Sequence, residues 1–285
     1  MAAQILDGKV IAERVRAEVK ERAEAFEKKT GRKAGLEVVL VGDDPASHVY
    51  VASKERSSAQ VGMRGAVHRL PADASQQQLM DVVASLNARA DVDGILVQLP
   101  LPKGLDAERV VHAIDPAKDV DGLHPINAGL LASGGKGLRP CTPSGCMRML
   151  AETGTSLTGK RAIVIGRSNL VGKPVALMLL EESCTVTMAH SKTRALDELV
   201  RESDIVVAAV GVPELVKGDW IKPGAIVLDV GVNRVGEKKL LGDVEFQAAR
   251  ERAAWISPVP GGVGLMTVAM LLQNTIDAAE RSHGA

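Results

Sequence analysis

Two α/β lobes with a cleft between them form the architecture that this sequence predicts. Its 285 residues are enough to bury a core in each of two domains. In both halves, apolar runs typical of strands alternate with helical stretches, a pattern that favours parallel sheets. In mid-chain, the apolar run from Ala162 breaks at Gly166 and Gly172 before a helical segment begins at Val175. A strand, a glycine turn and a helix in this order predict that the second lobe is a Rossmann-type dinucleotide-binding domain.

The first half supplies the elements of the other lobe. The amino terminus predicts an amphipathic charged helix without the apolar core of a signal peptide. Further along, we predict strands at 36–42, 64–70 and 94–98, separated by helices at about 46–62 and 75–89. Because the glycine turn comes only at Gly166, the first 140 or so residues are free to form the substrate side of the cleft.

The second half continues the alternation after the glycine turn. Its further strands are predicted at 184–190, 205–210 and 225–230, and an apolar helix at about 265–280. The spacing of Gly166 and Gly172 departs from G-x-G-x-x-G, so a plain strand-to-helix turn is the alternative explanation of this loop. The strands that follow it favour the dinucleotide interpretation.

The residues after the strand at 184–190 bear on which dinucleotide binds. NAD enzymes usually place an acidic residue there for the ribose hydroxyls. This chain offers basic and hydroxyl side chains at the two turns instead, namely Arg167, His190, Ser191, Lys192 and Arg194. They would favour a 2′-phosphate, although an ordinary basic surface explains Lys192 and Arg194 nearly as well.

Composition narrows the class of partner. Thirty-five basic and thirty-five acidic residues cancel, so nothing suggests capture of nucleic acid or of an anionic membrane. No apolar run approaches membrane-spanning length, and we expect a soluble, cytoplasmic protein. Three cysteines without metal-ligand spacing suit a reducing compartment, and we assign no metal. A small-molecule substrate is the expected partner.

Tyr50 and Lys54 are the first candidates for chemistry. Their four-residue spacing places both on one face of a predicted helix. The tyrosine offers a stacking face and a hydroxyl, and a partly desolvated lysine can lose its proton near neutral pH. The alternative for such a pair is a solvated helix face.

A second group of candidates follows the strand at 94–98. Gln98 closes that strand before Pro100 and Pro102, and the carboxyl ends of parallel strands are where ligands bind. Asp119 and Asp121 then lie in a turn. Turn hydrogen bonds are the interpretation that we prefer for Asp119, and a helix cap is the alternative role of Asp121.

Two proline-containing segments complete the pattern. In Pro140-Cys-Thr-Pro-Ser-Gly145, Thr142 suits a helix cap and Pro143 the first helical position, which predicts a mainly structural segment. In Ser257-Pro-Val-Pro-Gly-Gly-Val-Gly264, glycines allow the backbone to approach a flat ring and prolines stiffen the loop. A rigid connector explains these prolines but not so many glycines.

Taken together, these motifs closely resemble the bifunctional methylenetetrahydrofolate dehydrogenase/cyclohydrolase family over nearly the whole chain. Their order along the chain is more specific than any single motif. The motifs that carry the resemblance are Tyr50-Val-Ala-Ser-Lys54, Gln98-Leu-Pro-Leu-Pro102, Lys118-Asp-Val-Asp-Gly122, Pro140-Cys-Thr-Pro-Ser-Gly145, Gly166-Arg-Ser-Asn-Leu-Val-Gly-Lys-Pro174, Asp229-Val-Gly-Val-Asn233, Gly242-Asp-Val244 and Pro258-Val-Pro-Gly-Gly-Val-Gly264.

The resemblance implies NADP-dependent oxidation of 5,10-methylenetetrahydrofolate to the methenyl form and hydrolysis of that product to 10-formyltetrahydrofolate. It also implies a homodimer. Within each chain, the resemblance implies that the final helix folds back onto the first lobe. The implied division is a folate-binding catalytic domain of residues 1–140 plus 265–285 and an NADP-binding domain of residues 141–264.

The resemblance also implies roles for particular residues. Lys54 is the central catalytic residue, Tyr50 orients the folate, Gln98 tunes Lys54, and Asp121 holds the pterin. The cofactor site is implied to comprise Gly166, Arg167, Ser168, Gly172, Ser191 and Val232. The folate-contacting loop is implied to include Pro260, Gly261 and Gly262.

One residue of the chain departs from the usual family sequence. Leu265 stands where the family usually has proline, and we expect only a modest change in the loop.

Three other functions compete with this interpretation. In short-chain dehydrogenases the Tyr/Lys pair follows the dinucleotide loop, whereas Tyr50 precedes it. A non-catalytic nucleotide-binding protein leaves Tyr50, Lys54, Gln98 and Asp121 together unexplained. A monofunctional dehydrogenase is the nearer rival, but relatives that lack hydrolysis tend to lack the lysine.

Overall fold

The computed structural model describes residues 2–236 and 239–284. Helices alternate with strands along both halves of the described chain, which confirms the predicted α/β class. The strands are β1 (Gln4–Ile5), β2 (Gly35–Val41), β3 (Arg64–Leu70), β4 (Gly94–Val97), β5 (Arg161–Ile165), β6 (Thr185–Ala189), β7 (Ile205–Ala208), β8 (Ile226–Asp229), β9 (Asn233–Val235), β10 (Lys239–Leu241) and β11 (Trp255–Ile256). The helices are α1 (Gly8–Thr30), α2 (Pro45–Gln60), α3 (Gln76–Ala88), α4 (Ala107–Ala113), α5 (Pro125–Ala132), α6 (Cys141–Ala151), α7 (Gly172–Glu181), α8 (Leu196–Arg201), α9 (Phe246–Arg250) and α10 (Met266–Ser282).

The chain forms two compact units. The six-stranded unit contains the residues up to Glu13 together with Thr142–Thr267, and the three-stranded unit contains Arg14–Cys141 and the residues from Val268 onward. The division implied by the family resemblance differs from these units chiefly at the amino terminus. Because β1 pairs with β11, the first residues belong with the six-stranded sheet. The implied functional domains stay a prediction.

The three-stranded unit is built on a parallel sheet of order β3-β2-β4. Every residue of β2 is buried, as expected for the central strand of a covered parallel sheet. Helix α2 begins after Asp44, whose carboxylate accepts a 2.8 Å hydrogen bond from the Ser47 N–H. Helix α3 begins with a capping box between Ser75 and Gln78. The Asp44 cap fixes the start of α2, the helix that carries Tyr50 and Lys54.

The six-stranded unit has a wholly parallel sheet of order β1-β11-β8-β7-β5-β6. The chain runs from β5 to β6 on one side and then returns to β7 on the other side of β5. This reversal is the topological switch point at which Rossmann-type sheets bind ligands, beyond the carboxyl ends of the strands. The predicted Rossmann-type arrangement is thereby confirmed. A small antiparallel ribbon, β9 with β10, follows β8.

Two sequence predictions need correction. The amino terminus is not helical throughout, since β1 precedes α1 and the helix begins only at Gly8. Helix α6 begins at Cys141, so Thr142 lies inside the helix and not at its cap. The Thr142 hydroxyl instead lies 3.0 Å from the Thr267 hydroxyl. Among the described residues, no helix combines the length and apolarity needed to cross a bilayer.

Candidate functional site

A direct hydrogen bond joins Lys54 to Gln98. The ammonium nitrogen of Lys54, on α2, donates to Gln98 Oε1 at 2.9 Å. The Gln98 amide nitrogen donates to the carbonyl of Leu99 at 2.6 Å, so the orientation of the amide is fixed from both ends. Gln98 follows β4 directly, at the carboxyl edge of the three-stranded sheet. The structure therefore brings together two residues that the sequence separates by more than forty positions.

Burial governs the electrostatics of this pair. It lowers the pKa of Lys54 below its usual value, and the nearby Asp121 carboxyl partly opposes that shift in pKa. The pKa of Asp121 is raised by burial and lowered by Lys54. Gln98 satisfies the lysine without adding a charge, so its contact does not cancel the effect of burial. The geometry favours a lysine that can give up its proton.

Tyr50 lies one turn before Lys54 on α2 and has a different environment. Its side chain is 60% exposed, whereas Lys54 is half-buried. The solvated-face alternative therefore describes Tyr50 but not Lys54. An exposed ring beside a half-buried lysine leaves an aromatic face free to stack on a flat ligand.

The turn after β4 separates the roles of its two aspartates. Asp119 is buried and accepts hydrogen bonds from the His124 N–H at 2.7 Å and from the Asn127 amide at 3.0 Å. The turn-forming interpretation of Asp119 is confirmed. The cap of α5 is His124, whose ring accepts from the Ile126 N–H, so Asp121 does not cap that helix. Asp121 is the carboxyl whose charge acts on Lys54, and the Cys141 thiol is its hydrogen-bond partner.

The sequence analysis missed the residue that holds this turn. The buried side chain of Asn274, on α10, donates hydrogen bonds to the carbonyls of Val120 and Arg139, both at 2.8 Å. Gly122 has a φ of +72°, and a Cβ there would strike the Arg139 carbonyl. Burial and Asp121 raise the pKa of the neighbouring Cys141 thiol well above its usual value. The only sequence signal was an amide within an apolar helix.

The glycine turn lies at the switch point of the six-stranded sheet. Gly166 has a φ of +128°, and a Cβ there would strike the carbonyl of Ala209 at the end of β7. A Cβ on Gly172 would in turn strike the carbonyl of Gly166. The two glycines thus allow three backbone segments to meet, which a tight dinucleotide loop requires.

The Ser168 side chain binds backbone N–H groups at the start of helix α7. Its hydroxyl oxygen accepts from the N–H groups of Val171 at 3.1 Å and Gly172 at 3.3 Å. A hydroxyl that accepts two bonds retains its own proton to donate outward. The Ser168 hydroxyl can therefore donate a hydrogen bond to an anion that lies near the positively polarised amino end of α7.

The basic and hydroxyl side chains predicted at the two turns lie after β5 and β6. Because these strands are adjacent and parallel, both turns lie at the same edge of the sheet. Arg167, Ser191, Lys192 and Arg194 are exposed, and His190 is half-buried. The His190 ring accepts a hydrogen bond from the Lys192 N–H at 3.1 Å, which shapes the second turn. The edge can offer several positive charges to a phosphate.

Val232 lies beyond the end of β8 at this same edge and is 56% exposed. Two buried aspartates, Asp229 and Asp243, lie in the segments around Val232. The sequence alone indicated no role for them. Burial raises the pKa of Asp229 to about 7. Its carboxyl accepts from the N–H groups of Asp243 and Val244, both at 2.9 Å.

The proline- and glycine-rich loop lies at the start of α1. The Gly8 N–H donates to the carbonyl of Gly261 at 2.9 Å, and Gly261 has a φ of +106°. Pro260 is exposed and Gly262 is buried. The Leu265 N–H donates to the Gly262 carbonyl at 3.1 Å, a hydrogen bond that a proline at this position would lack.

Within residues 2–236 and 239–284, no group of three or more His, Cys, Asp or Glu side chains could hold a metal ion.

Comparison with known proteins gives a consistent result. The tetrahydrofolate dehydrogenase/cyclohydrolase catalytic domain matches residues 6–121, and the NAD(P)-binding domain of the same family matches residues 140–283. The bifunctional protein FolD of Sorangium cellulosum is 59% identical, with 98% of each chain covered. The bifunctional FolD structure from Campylobacter jejuni superposes with a TM-score of 0.96 at 42% identity, covering 99% of this chain and all of the other. The FolD of Trypanosoma brucei, complexed with NADP cofactor and inhibitor, superposes with a TM-score of 0.94 at 41% identity, with both chains fully covered.

Proposed function

Since the chain belongs to the tetrahydrofolate dehydrogenase/cyclohydrolase family, we propose that Lys54 is its hydrolytic base and that the carboxyl edge of its six-stranded sheet binds NADP. The chain is a bifunctional enzyme of one-carbon metabolism. It oxidises 5,10-methylenetetrahydrofolate to the methenyl form with NADP and hydrolyses that product to 10-formyltetrahydrofolate. The observation that carries the proposed site is the half-buried Lys54 hydrogen-bonded to the neutral Gln98.

The hydrolysis needs a base. Water must lose a proton as it attacks the methenyl carbon, and proton transfer by a positioned side chain is typically worth ~10²–10⁴-fold. Lys54 can accept that proton only when it is neutral. Burial lowers its pKa, and the positive charge of the methenyl substrate would lower that pKa further. Gln98 orients the amine without restoring the positive charge.

Three further features suit the folate. The exposed ring of Tyr50 offers a stacking face and a hydroxyl to orient it, and Asp121 offers a carboxyl to hydrogen-bond the pterin. Pro260 and Gly261 are not buried, and their loop offers backbone to a flat ring, while Gly262 allows the loop to fold back on Pro258.

The oxidation places different demands on the protein. Hydride leaves a carbon flanked by two nitrogens, which stabilise the resulting cation, so positioning matters more than a base. Bound NADP would supply the hydride acceptor. The residues present fit that group, because Gly166 and Gly172 allow the turn to pack tightly at the switch point and Ser168 keeps a hydroxyl proton to donate. Arg167 and Ser191 would meet its phosphates, and Val232 would lie against it.

Assembly and location complete the proposal. We propose a homodimer, which the family resemblance implies, and a cytoplasmic location, which the three free cysteines suit. Light scattering of the purified protein should give twice the mass of one chain. A mass of a single chain would contradict the dimer, and recovery from the periplasmic or membrane fraction would contradict the location.

The test of the function adds 5,10-methylenetetrahydrofolate and NADP to the purified protein. NADPH and methenyltetrahydrofolate are followed at their separate absorbances. NADPH formation without lasting methenyl build-up is expected, because hydrolysis removes the intermediate. NADPH with methenyl accumulation would remove the hydrolytic role of Lys54, and no NADPH would contradict the oxidation.

A further inference from the structure

Asp243 is a fully buried carboxylate that the proposed reactions do not use. It precedes Val244 in the turn after β10, within the motif Gly242-Asp-Val244, and lies in the six-stranded unit. A buried carboxylate is costly unless hydrogen bonds satisfy its oxygens. The hydrogen-bond partners of Asp243 therefore indicate which segments of the chain it holds in place.

Four N–H donors converge on the two oxygens of Asp243. Three belong to consecutive residues: the backbone N–H groups of Val210 at 2.6 Å and Gly211 at 3.0 Å donate to Oδ2, and that of Val212 at 2.9 Å donates to Oδ1. The fourth is the Asn233 side-chain amide, which donates to Oδ1 at 2.9 Å. One side chain thus fixes the loop after β7 and the start of β9 together.

These two segments form one side of the switch point. The loop at Val210–Val212 follows β7 directly, and β7 is the neighbour of β5, which leads into the glycine turn. Asn233 follows Val232 after β8. Val212 is 45% exposed and Val232 is 56% exposed, so each segment presents an apolar side chain outward. An apolar surface at this edge suits the face of a flat cofactor ring.

Asp243 is itself held rigidly. Its own N–H donates to the Asp229 carboxyl at 2.9 Å, and the Val244 N–H donates to the other Asp229 oxygen at 2.9 Å. A Cβ on Gly231 would strike the Asp243 carboxyl, and one on Gly242 would strike that of Asp229. Gly231 and Gly242 therefore allow the close packing in which Asp229 holds the backbone of Asp243.

We propose that Asp243 is a positioning residue for the dehydrogenase reaction, which sets the Val212 and Val232 surfaces against which the cofactor lies. The proposal rests on the assignment of this sheet edge to NADP. It predicts that a substitution of Asp243 weakens NADP binding more than it affects methenyl hydrolysis. A residue that only stabilised the fold would lower the unfolding temperature without moving the affinity for NADP.

Asp243→Asn is the direct test. Four N–H donors face the two oxygens, so an amide loses two of these bonds whichever way it is turned, and its NH₂ group then faces other donors. We expect KM for NADP to rise by about tenfold or more, with a smaller change in kcat. Titration calorimetry with NADP should show a matching loss of affinity. Hydrolysis of added methenyltetrahydrofolate, which needs no NADP, should stay within about twofold of the parent rate.

Two further variants keep the test decisive. Asp219→Asn makes the same change at an exposed position of the same unit, and it should leave KM for NADP unchanged. Asn233→Ala removes one donor and leaves the carboxylate in place, so about a threefold rise in KM for NADP is expected.

The outcomes separate the proposal from the function itself. An unchanged affinity for NADP in a folded Asp243→Asn protein, with or without a lower unfolding temperature, would overturn the proposal. If Asp243→Asn does not fold, an unchanged KM for NADP in Asn233→Ala would overturn it equally. Failure of the parent protein to reduce NADP would instead contradict the proposed function.

Discussion

Lys54 lies in an environment that suits the hydrolytic base proposed above. Burial lowers its pKa, and Gln98, not a carboxylate, takes the nearest hydrogen-bonding position at 2.9 Å. A carboxylate in that position would favour the charged lysine, because opposite charges within about 4–6 Å stabilise each other. The neutrality of residue 98 is therefore as important as the presence of the lysine.

Gln98→Glu tests this neutrality. The new carboxylate should raise the pKa of Lys54, and each unit of that rise reduces its neutral fraction by about tenfold below the pKa. Methenyl hydrolysis at neutral pH should fall and should recover as the pH is raised, after subtraction of the uncatalysed rate. Gln60→Glu, an exposed change on α2, the helix that carries Lys54, is the control. Identical pH profiles for Gln98→Glu and the parent would contradict the role of Gln98.

Asp121→Asn should move the same profile in the opposite direction. Asp121 raises the pKa of Lys54, so its loss allows burial to lower that pKa further. Activity that requires the neutral amine is lost as the pH falls through this pKa, so the acid limb of kcat should shift to lower pH. Weaker folate binding should appear separately, as a higher KM. A shift of the acid limb to higher pH would exclude Asp121 as the opposing charge.

At the scale of elements, the sequence predicted the main strands closely and missed what depends on distant partners. The runs at 36–42, 64–70 and 94–98 correspond to β2, β3 and β4. Strands β2 and β4 are buried throughout, and largely apolar stretches mark such parallel strands. Strand β1 has two residues, and only its pairing with β11 defines it. The side chains of Asn274 and Asp243 form hydrogen bonds with backbone groups that are far away in the sequence. No local sequence pattern predicts such contacts.

The site was predictable to a similar extent. The helical spacing of Tyr50 and Lys54 placed them on one helix, and the strand end placed Gln98 at a ligand-binding edge. Their direct contact, and the lack of a helix cap role for Asp121, required the fold. Spacing alone left the turn at Gly166 ambiguous, and its position at the switch point of the sheet now explains it.

Gly172→Ala tests the glycine turn as an element. The added Cβ would strike the Gly166 carbonyl and lie 2.8 Å from the Arg167 nitrogen, so the loop must move. KM for NADP should rise by about tenfold or more, and methenyl hydrolysis should persist. Gly129→Ala, in helix α5 with open space around the new methyl group, is the matched control. Unchanged NADP kinetics in Gly172→Ala would contradict the assignment of this turn.

Leu265→Pro tests the departure from the usual family sequence. Proline would remove the 3.1 Å hydrogen bond from residue 265 to the Gly262 carbonyl, worth about 0.5–1.5 kcal/mol. It would also reduce the entropy of the unfolded chain, worth about 0.4–1 kcal/mol where the backbone is compatible. These effects nearly cancel, so the free energy of unfolding and both activities should change little. A more than tenfold loss of either activity would show that the Leu265 N–H is essential.

The whole molecule separates the two kinds of residue that its reactions require. The proposed hydrolytic pair, Lys54 and Gln98, lies with Asp121 in the three-stranded unit, whereas the glycine turn and Asp243 lie in the six-stranded unit. The family's catalytic and NAD(P)-binding domains match the chain in the same order. Substitutions in one unit should therefore affect one activity more than the other, and this selectivity is the central claim.

Lys54→Met tests that claim most directly. Both absorbances are followed in one reaction with 5,10-methylenetetrahydrofolate and NADP, and Lys20→Met on the exposed face of α1 is the control. We predict that hydrolysis falls by about 10²-fold or more while NADPH formation falls far less, so that methenyltetrahydrofolate accumulates. Equal loss of both activities would contradict the account, because Lys54 would then serve a step that the two reactions share.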